Sequence, residues 1–192
     1  MSEEHNFNVE LEWLSAIREG DEAAFKLLFN RYYFSLTRFA WRYTKSEAIA
    51  EELVQDLFTE IWEQRQTWTV YGRLRPFLYR VMKEKSLNYL KHIKVKQTYD
   101  VRWMEHWVES IILPEEEDKE EQMQLFRQAL IRAIEDLPPR CKMIYKLHKY
   151  DGLTYQEIAE VMDISKKTVE SQMTRAIKLL RKRLTHGMPF MP

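Results

Sequence analysis

The chain has 192 residues, a formal net charge of zero, 45% hydrophobic residues and 31% charged residues. This length suits one ordinary domain or two small ones, and the hydrophobic fraction excludes disorder for most of the chain. The single cysteine excludes an internal disulfide framework and argues against a cysteine-based zinc site. No apolar run approaches 18 residues and the acidic start does not resemble a secretory signal, so we expect a cytoplasmic protein without membrane insertion.

Charge is unevenly distributed along the chain. Residues 1–96 carry 15 basic and 14 acidic residues, residues 97–120 carry 2 and 8, and residues 121–192 carry 13 and 8. The pattern indicates an acidic linker between two bodies, and it suggests an anionic partner for the basic parts.

The first half of the sequence predicts a bundle of four helices. Gly20 indicates the end of one helix, and Asp21 is a predicted N-cap for a second over about residues 21–43. Ser46 caps a third helix, and Pro76 fits the first turn of a fourth that extends to about residue 94. In the second helix, apolar side chains recur at spacings of three and four residues, at Phe25, Leu28, Phe29, Tyr32 and Leu36. In the third helix they form a predicted core stripe, at Ile49, Leu53, Leu57, Ile61 and Trp62.

The second half predicts four more helices after a linker. Pro114 and the acidic run at 115–121 indicate the linker, although residues 101–112 have room for a short helix. The later helices are expected over 122–137, from Pro139 to Gly152, over 154–162 and over 166–184. The predicted fold is all-α, with two helical domains at 8–96 and 121–185 joined by an acidic linker at 97–120.

The strongest functional pattern occupies residues 154–173. Thr154 and Glu157 form a capping box, the small Ala159 allows two helices to approach closely, Asp163 lies in the turn, and Ser165 caps the next helix. This arrangement predicts a helix-turn-helix, whose second helix enters the major groove of DNA. An ordinary helical hairpin with a solvated face is the alternative.

The second helix of this motif divides into two faces. Its predicted buried residues are Val169, Met173, Ile177 and Leu180. Its outer face carries basic and hydroxyl side chains, which suit contacts with phosphates and base edges: Lys166, Lys167, Thr168, Glu170, Ser171, Thr174, Arg175 and Lys178.

Two further patterns lie in the first half. One side of the third helix is polar and mostly acidic, which predicts either a docking face or only a solvated surface: Glu52, Gln55, Asp56, Thr59, Glu60 and Glu63. The following segment, residues 68–96, interleaves basic residues with the rings of Trp68, Tyr71, Phe77, Tyr79 and Tyr89. Such a pattern is typical of a groove for single-stranded nucleic acid, unless these rings belong to the core.

These patterns together resemble the two-domain bacterial sigma factors of the extracytoplasmic-function (ECF) group of the sigma-70 family. Residues 52–58, ELVQDLF, are similar to the segment that docks on the coiled coil of the β′ clamp of RNA polymerase. Residues 75–91 resemble the promoter-melting segment, and residues 134–184 resemble the domain that reads the minus-thirty-five element. The resemblance implies a non-enzymatic transcription initiation factor.

The resemblance also implies site residues and partners. The implied polymerase-binding residues are Glu52, Gln55, Asp56 and Glu60. The implied minus-ten DNA residues are Trp68, Tyr71, Arg73, Phe77, Arg80, Lys83 and Asn88. The implied minus-thirty-five DNA residues are Lys166, Lys167, Thr168, Ser171, Thr174 and Arg175. Expected partners are core RNA polymerase through its β′ clamp coiled coil and β flap, promoter DNA and an anti-sigma factor; no cofactor is expected.

Four residues depart from the common family pattern. Glu84 lies where many relatives carry Asn, Asn88 where many carry Asp, and Asp163 where the turn often has Gly. Glu170, in the predicted recognition helix, either repels phosphate or accepts a hydrogen bond from a cytosine amino group.

Two other functions remain open from the residues alone. One is a stand-alone helix-turn-helix regulator whose N-terminal helical domain senses a ligand or partner. The other is an interaction protein that has lost promoter activity, which Glu84 alone supports. No catalytic motif is present, and the histidines lack the spacing of metal ligands: His5, His92, His106, His148 and His186.

Overall fold

The computed structural model describes residues 3–70, 72–92 and 120–187. These residues form eight α-helices and no β-strand, which confirms the all-α prediction. The chain divides into two compact units, Met1–Asp100 and Val101–Pro192, and each unit is considered by itself. Tyr71, residues 101–112, which have room for a short helix, and nearly all of the expected linker lie outside the described residues.

The first unit consists of four helices: α1 (Glu3–Arg18), α2 (Glu22–Thr44), α3 (Glu47–Glu63) and α4 (Leu74–His92). Helix α2 is central, because it packs against the other three, and α3 also packs against α4. Gly20 ends α1 with a left-handed φ of 91°. The Asp21 carboxylate then caps α2 by accepting from the Ala23 and Ala24 amides at 2.8 and 3.0 Å. The predicted helix boundary is therefore confirmed.

The core of the first unit differs in part from the predicted stripe on α3. Leu57 and Ile61 are buried as expected, but Ile49, Leu53 and Trp62 are only half-buried. The remaining core positions of α3 are Ala50, Val54 and Phe58. Apolar residues occur as adjacent pairs along this helix, so their spacing defines a broad arc. Packing against α2 and α4 selects the centre of that arc.

The second unit also consists of four helices: α5 (Glu120–Glu135), α6 (Pro139–Lys149), α7 (Tyr155–Met162) and α8 (Lys166–Gly187). Helix α8 packs against α5, α6 and α7. Val169, Met173 and Leu180 are buried as predicted, but the prediction for Ile177 is wrong. Ala176 is fully buried in its place, whereas Ile177 is 36% exposed. The small Ala176 packs in a cluster with Ala133, Ile134, Leu137 and Cys141, which a larger side chain would push apart.

Candidate nucleic-acid interface

Local hydrogen bonds fix the helix-turn-helix formed by α7 and α8. The Thr154 hydroxyl accepts from the Glu157 amide at 3.2 Å, and the Glu157 carboxylate accepts from the Thr154 amide at 2.8 Å. Asp163 ends α7 in the left-handed conformation with φ 56°. The Ser165 hydroxyl then accepts from the Thr168 amide at 3.1 Å at the start of α8. The predicted caps and turn are therefore confirmed.

The outer face of α8 brings most of the predicted minus-thirty-five residues together. Lys166, Lys167, Ser171, Thr174 and Arg175 are all exposed on the first three turns. A rotation of about 100° per residue places Lys167, Ser171 and Thr174 farthest from the buried side. This is a compact surface of ammonium, guanidinium and hydroxyl groups.

Thr168 and Lys178 differ in how far they contribute to the outer face of α8. Thr168 is half-buried, and its hydroxyl hydrogen-bonds with the Ser165 hydroxyl at 2.8 Å, so part of its bonding capacity serves the helix start. Lys178 is exposed and lies one turn beyond Thr174 on the outward side. Its exposure confirms the predicted outward position of Lys178, which was not among the predicted DNA residues.

Polar contacts hold α8 against its neighbours. The buried Cys141 thiol donates to Gln172 Oε1 at 2.9 Å, which links α6 to the half of α8 that carries the basic face. Farther along α8, the Arg183 guanidinium donates to the Ala133 carbonyl of α5 at 3.2 Å. Together with the packing of α8 against α5, α6 and α7, these contacts hold the helix in place within the unit.

A three-residue charge cluster joins α5 to α6 in the same unit. The Glu135 carboxylate accepts from Lys146 Nζ at 2.6 Å and from Lys142 Nζ at 3.2 Å. Burial acts to raise the pKa of Glu135, but the hydrogen bonds and positive charges of Lys146 and Lys142 outweigh it and hold the pKa below its ordinary value of 4.5. Because Lys146 is only 8% exposed, this pairing satisfies an otherwise costly buried ammonium.

The acidic side of α3 forms a second candidate surface. Glu52, Gln55 and Asp56 are exposed, and no side-chain partner for them lies in the described parts of the chain. Glu60 is also exposed, but it forms an ion pair with Lys85 of α4 at 2.5 Å. The structure thus joins the predicted polymerase-binding face to the helix that carries the predicted minus-ten residues. Sequence reasoning did not find the pair, because its members are 25 positions apart.

The aromatic residues of the predicted minus-ten segment occupy two different environments. Trp68 and Phe77 are half-buried and meet edge to face with their ring centroids 5.4 Å apart. The Arg80 guanidinium lies 5.7 Å from the centroid of the Phe77 ring. Tyr79, in contrast, is fully buried against Phe39, so for this ring the core alternative is correct.

The polar residues of this segment are mostly accessible. Arg73, Arg80 and Asn88 are exposed and Lys83 is half-buried, while Tyr71 lies outside the described residues.

Within the described ranges, no group of three or more candidate metal ligands occurs, and no helix is long and apolar enough to span a membrane.

Comparisons with protein families match two separate segments of the chain. The family model described as Sigma-70 region 2 matches residues 28–94, and the one described as Sigma-70, region 4 matches residues 127–180. The chain is 30% identical over 165 residues to a protein named ECF RNA polymerase sigma-E factor from Escherichia coli strain K12, covering 83% of this chain and 86% of the relative. A protein of the same name from Haemophilus influenzae is 25% identical over 179 residues, covering 88% and 91%.

Two solved structures share the fold. CnrH, solved in complex with the cytosolic domain of CnrY, has a TM-score of 0.63 and 18% identity, covering 94% of this chain and 99% of that one. The sigma factor RpoE of Bartonella quintana, solved in complex with the anti-sigma factor NepR, has a TM-score of 0.51 and 20% identity, covering 84% and 96%.

Proposed function

Because the chain belongs to the ECF group of the sigma-70 family of RNA polymerase sigma factors, we propose a division of promoter recognition among its surfaces. The chain is a transcription initiation factor that directs RNA polymerase to promoters. The observation that carries this function is the presence, in one chain and in order, of sigma-70 regions 2 and 4. A stand-alone regulator that senses a ligand needs only the second of these regions.

Each unit takes a different part of the promoter in this proposal. Residues 8–96 dock on core polymerase and act at the minus-ten element, residues 97–120 form an acidic linker, and residues 121–185 read the minus-thirty-five element. The segments that match regions 2 and 4, at 28–94 and 127–180, fall inside the two functional ranges and support this division. The site of action is the cytoplasm, where RNA polymerase works, and the factor is not an enzyme.

The exposed acidic side of α3 is the proposed docking surface for the β′ clamp coiled coil. Glu52, Gln55 and Asp56 support this role, because they are exposed and have no partner in the described chain. Glu60 would have to share its carboxylate between Lys85 and the polymerase. Docking would therefore change the ion pair of Lys85 in α4, the helix assigned to the minus-ten element.

The start of α4 is the proposed strand-opening surface. The Trp68 and Phe77 rings form a partly exposed aromatic pair, and Arg80 lies beside it. Aromatic rings stabilise an unpaired base by stacking, at about 1–3 kcal/mol per base. Arg73 and Lys83 are assigned to phosphates, Asn88 to a base edge, and Tyr71 stays a sequence-based prediction as a second stacking ring.

The outer face of α8 is the proposed reader of the minus-thirty-five element. Its first turns carry the residue types that pair with phosphates and base edges, and its orientation is held by contacts from α5 and α6. The assigned residues are Lys166, Lys167, Thr168, Ser171, Thr174 and Arg175. The β flap of core RNA polymerase is proposed as a further contact of this chain, without assigned residues.

An anti-sigma factor is proposed as the regulatory partner. The solved structures with the same fold were determined as complexes, one of them with a protein that is itself named an anti-sigma factor. A protein with an exposed polymerase-binding face and an exposed DNA-reading face needs control when it is idle. An inhibitor that covers the acidic side of α3, the outer face of α8, or both would provide that control.

In vitro transcription with core polymerase and a library of promoters tests the function as a whole. Wild-type protein should yield transcripts from a defined class of promoters with two sequence elements.

Binding to core polymerase tests the acidic side of α3 by itself. Asp56→Arg should reduce core binding at least tenfold, since a close charge pair contributes about 1.5–7 kcal/mol and reversal adds repulsion. Glu12→Arg, which reverses an exposed charge on α1, is the matched control and should bind normally. Normal core binding by a folded Asp56→Arg protein would reject the assigned face.

A further inference from the structure

Helix α2 carries a seven-residue repeat on the side that faces away from the core. Leu27, Phe34 and Trp41 are spaced by seven residues, and each is followed four positions later by a basic residue: Arg31, Arg38 and Lys45. Since seven residues make almost two helical turns, the six side chains form one seam about 21 Å long between Leu27 and Trp41. We call these six residues the α2 seam.

The α2 seam is apolar and open at its centre. Phe34 is 71% exposed and Leu27 is 52% exposed, and these are the two largest exposures among the large hydrophobic side chains of the described residues. Trp41 is half-buried, with the Lys45 ammonium 4.9 Å from its ring centroid. The aliphatic stems of the arginines extend the apolar surface between the exposed side chains.

The seam has a strongly positive border. After Glu22 at its first position, α2 has no acidic residue, and it carries four basic ones before its C-cap residue Lys45. A surface of this kind is complementary to acidic groups that flank an apolar stripe.

The seam is separate from the acidic side of α3. Phe25 and Phe29 mark the side of α2 that contacts α3, because their rings lie 5.0 Å from Trp62 and 4.9 Å from Phe58. At about 100° per residue, Leu27 and Phe34 lie roughly on the opposite side of the helix. A protein bound to the seam therefore need not displace a protein bound to the acidic side.

We propose that the α2 seam is a docking site for an acidic amphipathic helix of a partner protein. Such a helix would place leucine-like side chains around Leu27 and Phe34 in the manner of a coiled coil, while its flanking carboxylates are attracted by the positive charge of the seam and pair with the exposed Arg31. The inference does not depend on the surfaces assigned to polymerase and promoter DNA.

Two other occupants fit the seam less well. A second copy of this chain, related by twofold symmetry, would bring the same basic borders together, and like charges repel. Single-stranded nucleic acid needs successive stacking rings, but Leu27 is aliphatic and the Trp41 ring is already covered in part by Lys45. The heptad spacing of apolar residues matches a helix best.

Two synthetic three-heptad peptides test the proposal against the full-length protein. Both carry leucine at the a and d positions; one has glutamate at e and g, and the other has lysine. We expect the acidic peptide to bind in fluorescence anisotropy, with affinity falling as salt rises. Phe34→Glu and, independently, Leu27→Glu should weaken this binding at least tenfold, and Arg31→Glu should weaken it about fivefold, because each substitution places a carboxylate where the peptide is acidic.

Leu87→Glu is the matched control, because it changes an apolar side chain that is 37% exposed on α4, and it should leave peptide binding unchanged. Circular dichroism verifies that each variant is folded.

Three results would overturn the proposal. The acidic peptide does not bind, or it binds equally to wild type and to both seam variants, or Leu87→Glu weakens peptide binding as much as the seam variants do. Direct binding of a 20-nucleotide thymidine strand to the wild-type protein that Phe34→Glu abolishes would identify a nucleic-acid surface instead. Self-association in sedimentation velocity that Phe34→Glu abolishes would identify a second copy.

Discussion

At the residue scale, single substitutions on the proposed DNA-reading face of α8 can separate contacts that read bases from contacts that hold phosphates. Lys167 and Ser171 lie on the first two turns, whereas Lys182 is exposed more than three turns later. We expect Lys167→Ala or Ser171→Ala to change promoter preference, with each lost base contact costing about 1–3 kcal/mol. Lys182→Ala should weaken all sequences alike and reduce the salt slope by about 0.9 if it touches a phosphate. Selection from a minus-thirty-five library measures both effects.

The triple variant Lys167→Ala/Ser171→Ala/Arg175→Ala gives the decisive comparison for α8. If its sequence preference equals that of wild type, this helix does not read bases.

Glu170 is an exposed carboxylate within the same basic face, between Lys166 and Thr174 along one side of α8. If it accepts from the amino group of cytosine, Glu170→Ala should relax the preference at one position by about 1–3 kcal/mol and leave other positions unchanged. We expect this result, because the Glu170 carboxylate is exposed and forms no ion pair in the described structure, so it is free to accept a hydrogen bond. Binding curves on single-base variants of the site measure it. Uniformly tighter binding to every sequence would show that Glu170 only repels phosphate.

At the scale of elements, the turn between α7 and α8 depends on one left-handed residue. Asp163 has φ 56°, a conformation that costs a β-branched residue about 1–2 kcal/mol. Asp163→Val should therefore lower the free energy of unfolding of the second unit by about that amount, and Asp163→Gly should not lower it. Chemical denaturation followed by circular dichroism gives both values. Glu160→Val, on an exposed helical position of α7, controls for helix propensity and should cost only about 0.5 kcal/mol.

The junction of α5 and α6 should respond to acid through Glu135. Its pKa is lower in the folded state than its ordinary value of 4.5, so its contribution to stability is present above pH 4.5 and is lost as the pH falls through the folded value. We expect Glu135→Gln to destabilise the protein at pH 7 by about 1 kcal/mol, since this partly exposed carboxylate is screened by solvent. The difference from wild type should shrink below pH 4.5. A difference that is the same at pH 7 and pH 3.5 would contradict the assignment.

At the scale of the whole molecule, each unit has its own core. Leu28, Phe39 and Tyr79 belong to the first, whereas Ile144, Met173 and Ala176 belong to the second. Fragments 1–100 and 101–192, which together contain the whole chain, should therefore each retain their helices, and the sum of their circular dichroism spectra should match the spectrum of the intact chain. The first fragment should still bind core polymerase, and the second should still bind minus-thirty-five DNA. A fragment that unfolds when it is separated would show that the two units depend on each other.

The sequence by itself determined the helices and their ends. Asp21, Ser46, Thr154 and Asp163 act through hydrogen bonds and backbone conformations within a few residues, so their roles can be recognised without any knowledge of the tertiary structure. The order of the segments similar to the two sigma-70 regions is likewise a property of the chain, and it was enough to indicate a promoter-directing factor.

Only the tertiary structure decided which apolar residues form the core and which polar residues pair. Ala176 is buried and Ile177 is exposed because the close approach of the helices favours a small side chain over a larger, more hydrophobic one. Tyr79, which the sequence pattern assigned either to a nucleic-acid groove or to the core, is a core residue because it packs against Phe39 of another helix. The pair Glu60–Lys85 joins residues far apart in sequence. Contacts of this kind depend on how helices pack, which the periodicity of a single helix does not contain.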